Sequence, residues 1–190
     1  QGIVVDSAVH LDVLCDGLEG LQREACITGA AVIGPADPER QLKLSRRRGQ
    51  GLVVVLADLD GLKQINDKFG HAEGDRALIA TAQVLLATFR DVDIIARLGG
   101  DEFAVVVVDA DENLEEALRT RLLRQIEARN AREGASYNLS LSVGTARQPV
   151  RKPRTMDELL ARADEALYKV KRASGPSRAE PRPAESLIKR

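Results

Sequence analysis

Arg97-Leu98-Gly99-Gly100-Asp101-Glu102-Phe103 is the stretch on which the reading of this chain turns. It separates two apolar runs, Asp93–Leu98 and Phe103–Val108, whose β-branched residues suit paired strands. Gly99 and Gly100 can take the positive φ that a tight hairpin needs, so the spacing predicts an antiparallel hairpin with Asp101 and Glu102 at the start of its second strand. A lone Gly-Gly-Asp would read as a solvated turn. A second acidic stretch upstream shifts that balance.

Leu52–Asp60 reads Leu-Val-Val-Val-Leu-Ala-Asp-Leu-Asp. An unbroken apolar run of this length predicts a strand buried on both faces, with Asp58 and Asp60 at its C-terminal end. The order along the chain is strand, helix, strand, hairpin, strand, helix, strand. That pattern predicts an α+β fold with a ferredoxin-like central antiparallel sheet, a βαββαβ core flanked by helices. In this topology the third strand lies between the first two and runs antiparallel to the first. Asp58 and Asp101 are thereby expected to meet in a small carboxylate cluster at one sheet edge.

Gathered carboxylates are hard oxygen ligands suited to Mg²⁺, which keeps several waters and shares its shell with substrate phosphates. Phosphoryl chemistry is the expectation, because metals there neutralise developing charge and ease deprotonation of an attacking hydroxyl. Leu59, Gly61 and Leu62 fall in the turn that opens a helix, where amides can cradle phosphate oxygens, and Lys63 adds a positive charge.

The 190 residues suffice for one domain with extensions. With three Phe, two Tyr and no Trp in a chain that is 44% hydrophobic, the core must be aliphatic. A net charge of −1 gives no footprint for nucleic acid or an anionic membrane. No apolar run is long enough to cross a bilayer and no signal peptide opens the chain, so a cytoplasmic location is expected. Cys15 and Cys26 lie outside every motif, without metal-ligand spacing, and read as free thiols.

Three parts are expected: a helical connector over residues 1–35, a catalytic domain over 36–175 and a flexible tail over 176–190. Val9, Val13, Leu14, Leu18 and Leu21 fall at helical spacings within Ser7–Arg23, as a helix packed on its own domain or as a connector pairing with its copy. Asp37-Pro38 reads as an N-cap and first helical residue of a helix through Arg48, where Arg46, Arg47 and Arg48 suit the dipole. Gly61–Phe69 and Glu73–Phe89 read as helices covering the sheet, as does the Leu114, Leu118, Leu122, Ile126 stripe. Leu139, Leu141 and Val143 alternate with Ser140 and Ser142 in a half-exposed strand. Leu160, Ala163, Leu167 and Val170 are the expected buried stripe of the last helix. The Pro-, Ser- and Arg-rich end is too poor in apolar residues to pack.

Over Leu52–Lys171 the chain resembles the GGDEF family of diguanylate cyclases. Ala57–Asp75 (ADLDGLKQINDKFGHAEGD), Arg97–Phe103 (RLGGDEF) and Ala163–Lys171 (ADEALYKVK) match the family's signatures in order. The resemblance implies a palm-type fold and a homodimer in which two half-sites condense two GTP into cyclic di-GMP and two pyrophosphates. It also implies an upstream sensor domain. Asp58, Asp101 and the main-chain carbonyl of Leu59 would hold Mg²⁺, for which Mn²⁺ can stand in. Asp101 would accept the 3′-hydroxyl proton, Glu102 would assist as ligand or orienter, and Lys63 would stabilise the transition state.

Asn66 and Asp75 would read the guanine edge, with His71 lining the nucleotide. Away from the motif they read as ordinary helix-terminal residues. Lys171 resembles the lysine that closes on the terminal phosphates, but the family's Gly and Arg three and four places on are Ser174 and Gly175 here. Arg172 or Arg178 are the available substitutes. Asp16–Arg23 is a degraded likeness of the family's opening signature, lacking its Thr and Asn. Arg90-Asp91-Val92-Asp93 matches the Arg-x-x-Asp of members inhibited by cyclic di-GMP, which begins nine residues before the first hairpin glycine (99 − 90 = 9). Alone, those four residues read as a loop ion pair. The rival functions are a catalytically weak or inactive module that binds GTP or cyclic di-GMP, and a cyclase for a mixed or adenine dinucleotide, against which Asp75 speaks.

Overall fold

Strand β2 (Gly51–Leu59) is buried at all nine positions and is the axis of the domain. The computed structural model describes residues 32–33, 37–110, 114–132, 136–149 and 153–174. The connector helix, Cys15, Cys26, the opening signature, Arg178 and the tail lie outside the described residues. The remaining strands are β1 (Val32–Ile33), β3 (Ile94–Gly99), β4 (Glu102–Ala110) and β5 (Leu141–Arg147). They form one sheet in the order β1-β3-β4-β2-β5, antiparallel at every junction. The third core strand, β4, does lie between the first two, β2 and β3, as a ferredoxin-like core requires. The sequence reading placed no strand at β1, which pairs with β3 at the sheet's edge.

The helices are α1 (Pro38–Arg48), α2 (Leu62–Phe69), α3 (His71–Thr88), α4 (Leu114–Asn130) and α5 (Met156–Ser174). Asp37 caps α1 by accepting a hydrogen bond from the Arg40 amide at 2.9 Å, and Gly49 ends it in the left-handed conformation. Loss of such a cap costs about 1 kcal/mol.

Period-two alternation in β2 divides the core between two layers. Val53, Val55, Ala57 and Leu59 pack with Ile65, Leu78, Leu85, Leu118 and Leu122 from α2, α3 and α4. Leu52, Val54 and Leu56 pack with Leu42 of α1 and with Met156, Leu159, Ala163 and Leu167 of α5. Both faces being covered, a continuous apolar run is what this strand requires.

Three expectations need correction. Ser142 is buried while Leu141 and Val143 are only partly so, because α5 covers the face expected to be exposed. A Cβ on Gly144 would stand 2.2 Å from the Ala163 carbonyl oxygen and 2.3 Å from the Leu167 nitrogen, so α5 lies directly on β5. The buried stripe of α5 accordingly begins at Met156 and Leu159, and Val170 is exposed. Helix α3 begins at His71, two residues before the expected start. Among the described residues no helix is long and apolar enough to cross a membrane.

Candidate functional site

The β2–β4 ladder runs in register to its last pair, Asp58 opposite Glu102. Register alone thus brings together residues 44 apart in sequence. The cluster sits at the sheet edge formed by the ends of the two central strands, with β3 and β5 flanking them. Gly99 and Gly100 have φ of 153° and 51°, and the β3–β4 register shifts between Arg97 and Gly99. This irregular turn carries Asp101, whose carbonyl accepts from the Leu59 amide at 3.0 Å. The Leu59 N–H is therefore already engaged, contrary to the expected phosphate cradle. Gly61, in the left-handed conformation, leads into α2 without a side-chain cap, and the first amides of that helix, from Leu62 onward, have no intrahelical acceptor.

Asp58 is 5% exposed, and Lys171 reaches it from α5, Nζ to Oδ2 2.6 Å. Burial pushes the Asp58 carboxyl above its ordinary range, and the charges of Asp101 and Glu102 push the same way against the Lys171 hydrogen bond and charge. Desolvation works to lower the Lys171 ammonium, but the hydrogen bond and charge of Asp58, with Asp101 and Glu102 behind, outweigh it and raise its pKa. Three carboxylates thus share one field with one ammonium. Among the described residues no three carboxylate, His or Cys donors enclose a metal position. The donor set is hard oxygen, with Asp58 buried, Asp101 half-buried and Glu102 exposed, a chemistry that suits a divalent cation completing its shell with water and substrate phosphate.

Asp60 stands apart from this cluster. The hydroxyls of Ser140 and Ser142 donate to its two carboxylate oxygens at 2.7 and 2.6 Å, and its amide donates to the Ser140 carbonyl at 2.9 Å. It pins the end of β2 to β5. Arg97 donates through Nε and Nη2 to the Gly100 carbonyl at 3.1 and 2.5 Å, bracing the hairpin. Burial lowers the Arg97 pKa, and the charges of Asp75 and Asp101 oppose that change. Sequence reasoning assigned no role to Arg97, Ser140 or Ser142. Position in the motif was a signal for Arg97; nothing local marked the serines.

The residues expected to read a base lie on α2 and α3, which meet at Gly70 with φ of 86°. Lys63 and His71 are exposed, whereas Asn66 and Asp75 are half-buried. The Asn66 Oδ1 is buried without a hydrogen-bond partner.

Arg90 and Asp93 lie at the opposite end of the β3–β4 hairpin. Asp93 is 2% exposed and accepts from the amides of Arg90 at 2.8 Å and Val108 at 3.2 Å. The Arg90 guanidinium approaches Asp93 at 3.4 Å and donates to the Val108 carbonyl at 2.6 Å. Val108 lies six residue steps along β4 from Glu102 (108 − 102 = 6), about 20 Å of extended chain.

A palm-like α+β domain with a carboxylate cluster over its central strands is the class that this fold and site define. Residues 37–176 match the family described as diguanylate cyclase, GGDEF domain. The chain belongs to the GGDEF family. It is 38% identical over 141 residues to the diguanylate cyclase DosC of Escherichia coli strain K12, covering 70% of this chain and 29% of DosC. It is 33% identical over 156 residues to the cyclic di-GMP phosphodiesterase NbdA of Pseudomonas aeruginosa, covering 82% of this chain and 19% of NbdA. The chain therefore spans less than a third of either protein. The GGDEF domain of TpbB from P. aeruginosa superposes with a TM-score of 0.64 at 33% identity, over 71% of this chain and 79% of that one.

Proposed function

We propose that this domain is a diguanylate cyclase half-site that binds one GTP and, paired with a second copy, joins two GTP into cyclic di-GMP with release of two pyrophosphates. The observation that carries the reading is the convergence of Asp58, Asp101 and Glu102 at the end of β2 and β4, with Lys171 against them. Asp58 and Asp101, with the Leu59 carbonyl, would hold Mg²⁺ or Mn²⁺, which neutralises triphosphate charge and acidifies the attacking hydroxyl when bound. Asp101 takes the 3′-hydroxyl proton and Glu102 orients it. Lys63 and Lys171 offset charge on the phosphates, and the amides of Gly61 and Leu62 at the opening of α2 seat them. Asn66 and Asp75 meet the guanine edge, whose N1–H and amine are donors and whose O6 and N3 are acceptors. His71 lines the nucleotide.

Joining two substrates head to tail needs two sites facing each other with their 3′-hydroxyls in line, hence a homodimer. An upstream sensor controlling that pairing, a cytoplasmic location, and feedback by cyclic di-GMP at Arg90 and Asp93 belong to the same reading. The second reading is a module that binds GTP or cyclic di-GMP without turnover. Ser174 and Gly175, standing where the family's Gly and Arg are expected, favour it. Incubation of the purified protein with GTP and Mg²⁺, with product identified by mass, separates the two. Cyclic di-GMP supports the cyclase, and intact GTP after prolonged incubation of a folded dimer refutes it.

A further inference from the structure

We infer that Gly74 is a specificity-determining residue of the base site, because its missing side chain is the space in which the Asn66 carboxamide sits. The inference rests on the guanine-reading role proposed for Asn66. Gly74 is buried within α3, its amide bonded to the Gly70 carbonyl at 3.3 Å as part of the helical ladder. A glycine inside a helix weakens it relative to alanine, so its presence calls for a packing reason. The reason is local. A Cβ at this position would stand 1.9 Å from Asn66 Oδ1, 2.8 Å from its Cγ and 3.3 Å from its Nδ2. These nearest contacts are all atoms of the carboxamide; no main-chain atom is among them. A methyl group at 74 must therefore displace the Asn66 side chain and leave both helices in place.

That side chain is held by packing rather than by hydrogen bonds at its oxygen. Oδ1 is buried with no partner, and a buried acceptor without a donor is unfavourable until one is supplied. Helix α2 positions the Asn66 backbone and α3 limits how far its amide can swing. The bare Cα of Gly74 thus sets the depth at which the amide presents itself to a base. A bulkier residue at 74 pushes the amide outward, and discrimination between guanine and adenine falls although no contacting residue has changed.

The test uses Gly74→Ala, Asn66→Ala and the double variant, with calorimetric titration of 3′-deoxy-GTP and 3′-deoxy-ATP, which cannot cyclise, and thermal melts of each protein. Gly74→Ala is expected to weaken 3′-deoxy-GTP roughly tenfold, the scale of one lost hydrogen bond, and to change 3′-deoxy-ATP by less than about twofold. Its Tm should not fall below that of wild type. In the Asn66→Ala background, Gly74→Ala should cost no further affinity and raise the Tm more than it does in wild type, because the clash is gone. Wild-type affinity of Gly74→Ala for 3′-deoxy-GTP overturns the inference, as does a tenfold loss that persists without Asn66. If Asn66→Ala alone leaves the guanine preference intact, the base assignment itself fails, an outcome distinct from failure confined to the Gly74 variant.

Discussion

Among the described residues Lys171 is the one side chain paired with Asp58, a carboxylate otherwise among like charges, so the cost of Lys171→Met follows from the geometry. At 2.6 Å, two unit charges attract by about 6 kcal/mol at an effective dielectric of 20 and by about 1.6 kcal/mol in water. The Asp58 side chain is 7% exposed and that of Lys171 41%, so the ammonium is well hydrated and the attraction lies toward the lower figure. Against it stands the penalty of a buried carboxylate facing Asp101 and Glu102 alone. We expect a net loss of about 1–2 kcal/mol in metal-free protein at pH 7, or roughly 0.5–1 M urea in the unfolding midpoint. The pH dependence has a definite sign. Asp58 is raised by burial, so its own ionisation destabilises the fold as pH rises through its folded pKa, whereas the Lys171 contribution appears only once Asp58 is ionised. The deficit of Lys171→Met is therefore largest near neutrality and shrinks as pH falls through the raised Asp58 pKa. At the alkaline end, the raised Lys171 pKa keeps the pair intact beyond the ordinary lysine range. Urea titrations in chelator at several pH values, repeated in an Asp58→Asn background, measure this. An equal deficit at every pH, or one undiminished in Asp58→Asn, would refute the reasoning.

Asp101→Ala should abolish cyclic di-GMP formation while leaving the melting profile within about 1 kcal/mol of wild type, since the hairpin is held through the main-chain carbonyls of Gly100 and Asp101; chromatography of the GTP reaction checks it. Asp75→Ala should weaken GTP more than ATP, by roughly the 1–3 kcal/mol of a lost partner for a buried donor, and competition binding with both nucleotides reads the ratio. Arg90→Ala should keep its initial rate yet resist inhibition by added cyclic di-GMP. Asp93→Ala should instead lose stability, by about 1–2 kcal/mol, because it leaves the part-buried Arg90 and Val108 amides without their acceptor; a stable Asp93 variant contradicts that account.

Backbone pattern made most of the fold legible. The run Leu52–Leu56 announced a strand covered on both faces, and Asp37-Pro38 announced the start of α1, because each depends on residues adjacent in sequence. Asp58 and Asp101 were placed together by topology, and the β2–β4 register does bring the ends of those strands together. What escaped was decided by packing between distant segments. Ser142 reads as an exposed position until α5 covers it and Asp60 accepts its hydroxyl. Val170 keeps helical spacing with Leu167, yet it is exposed where Leu167 is buried. Arg90 and Asp93 could be found by spacing, but no spacing reveals that Asp93 is buried and bonded to two amides.

The strand order also sets how the chain must assemble during synthesis. β2, the first long strand among the described residues, is central and pairs with strands made later, β4 on one side and β5 on the other. A nascent chain therefore carries its most apolar segment unpaired until residues 102–110 emerge, and half-paired until residues 141–147 follow. Such distant pairing slows folding and leaves an aggregation-prone edge for chaperones to shield. Helix α5, the last among the described residues, closes the second core layer with Met156, Leu159, Ala163 and Leu167 and then delivers Lys171 to Asp58. Chains ending before α5 leave that layer uncovered and the carboxylates mutually repelling, so truncation there should yield protein captured by quality control.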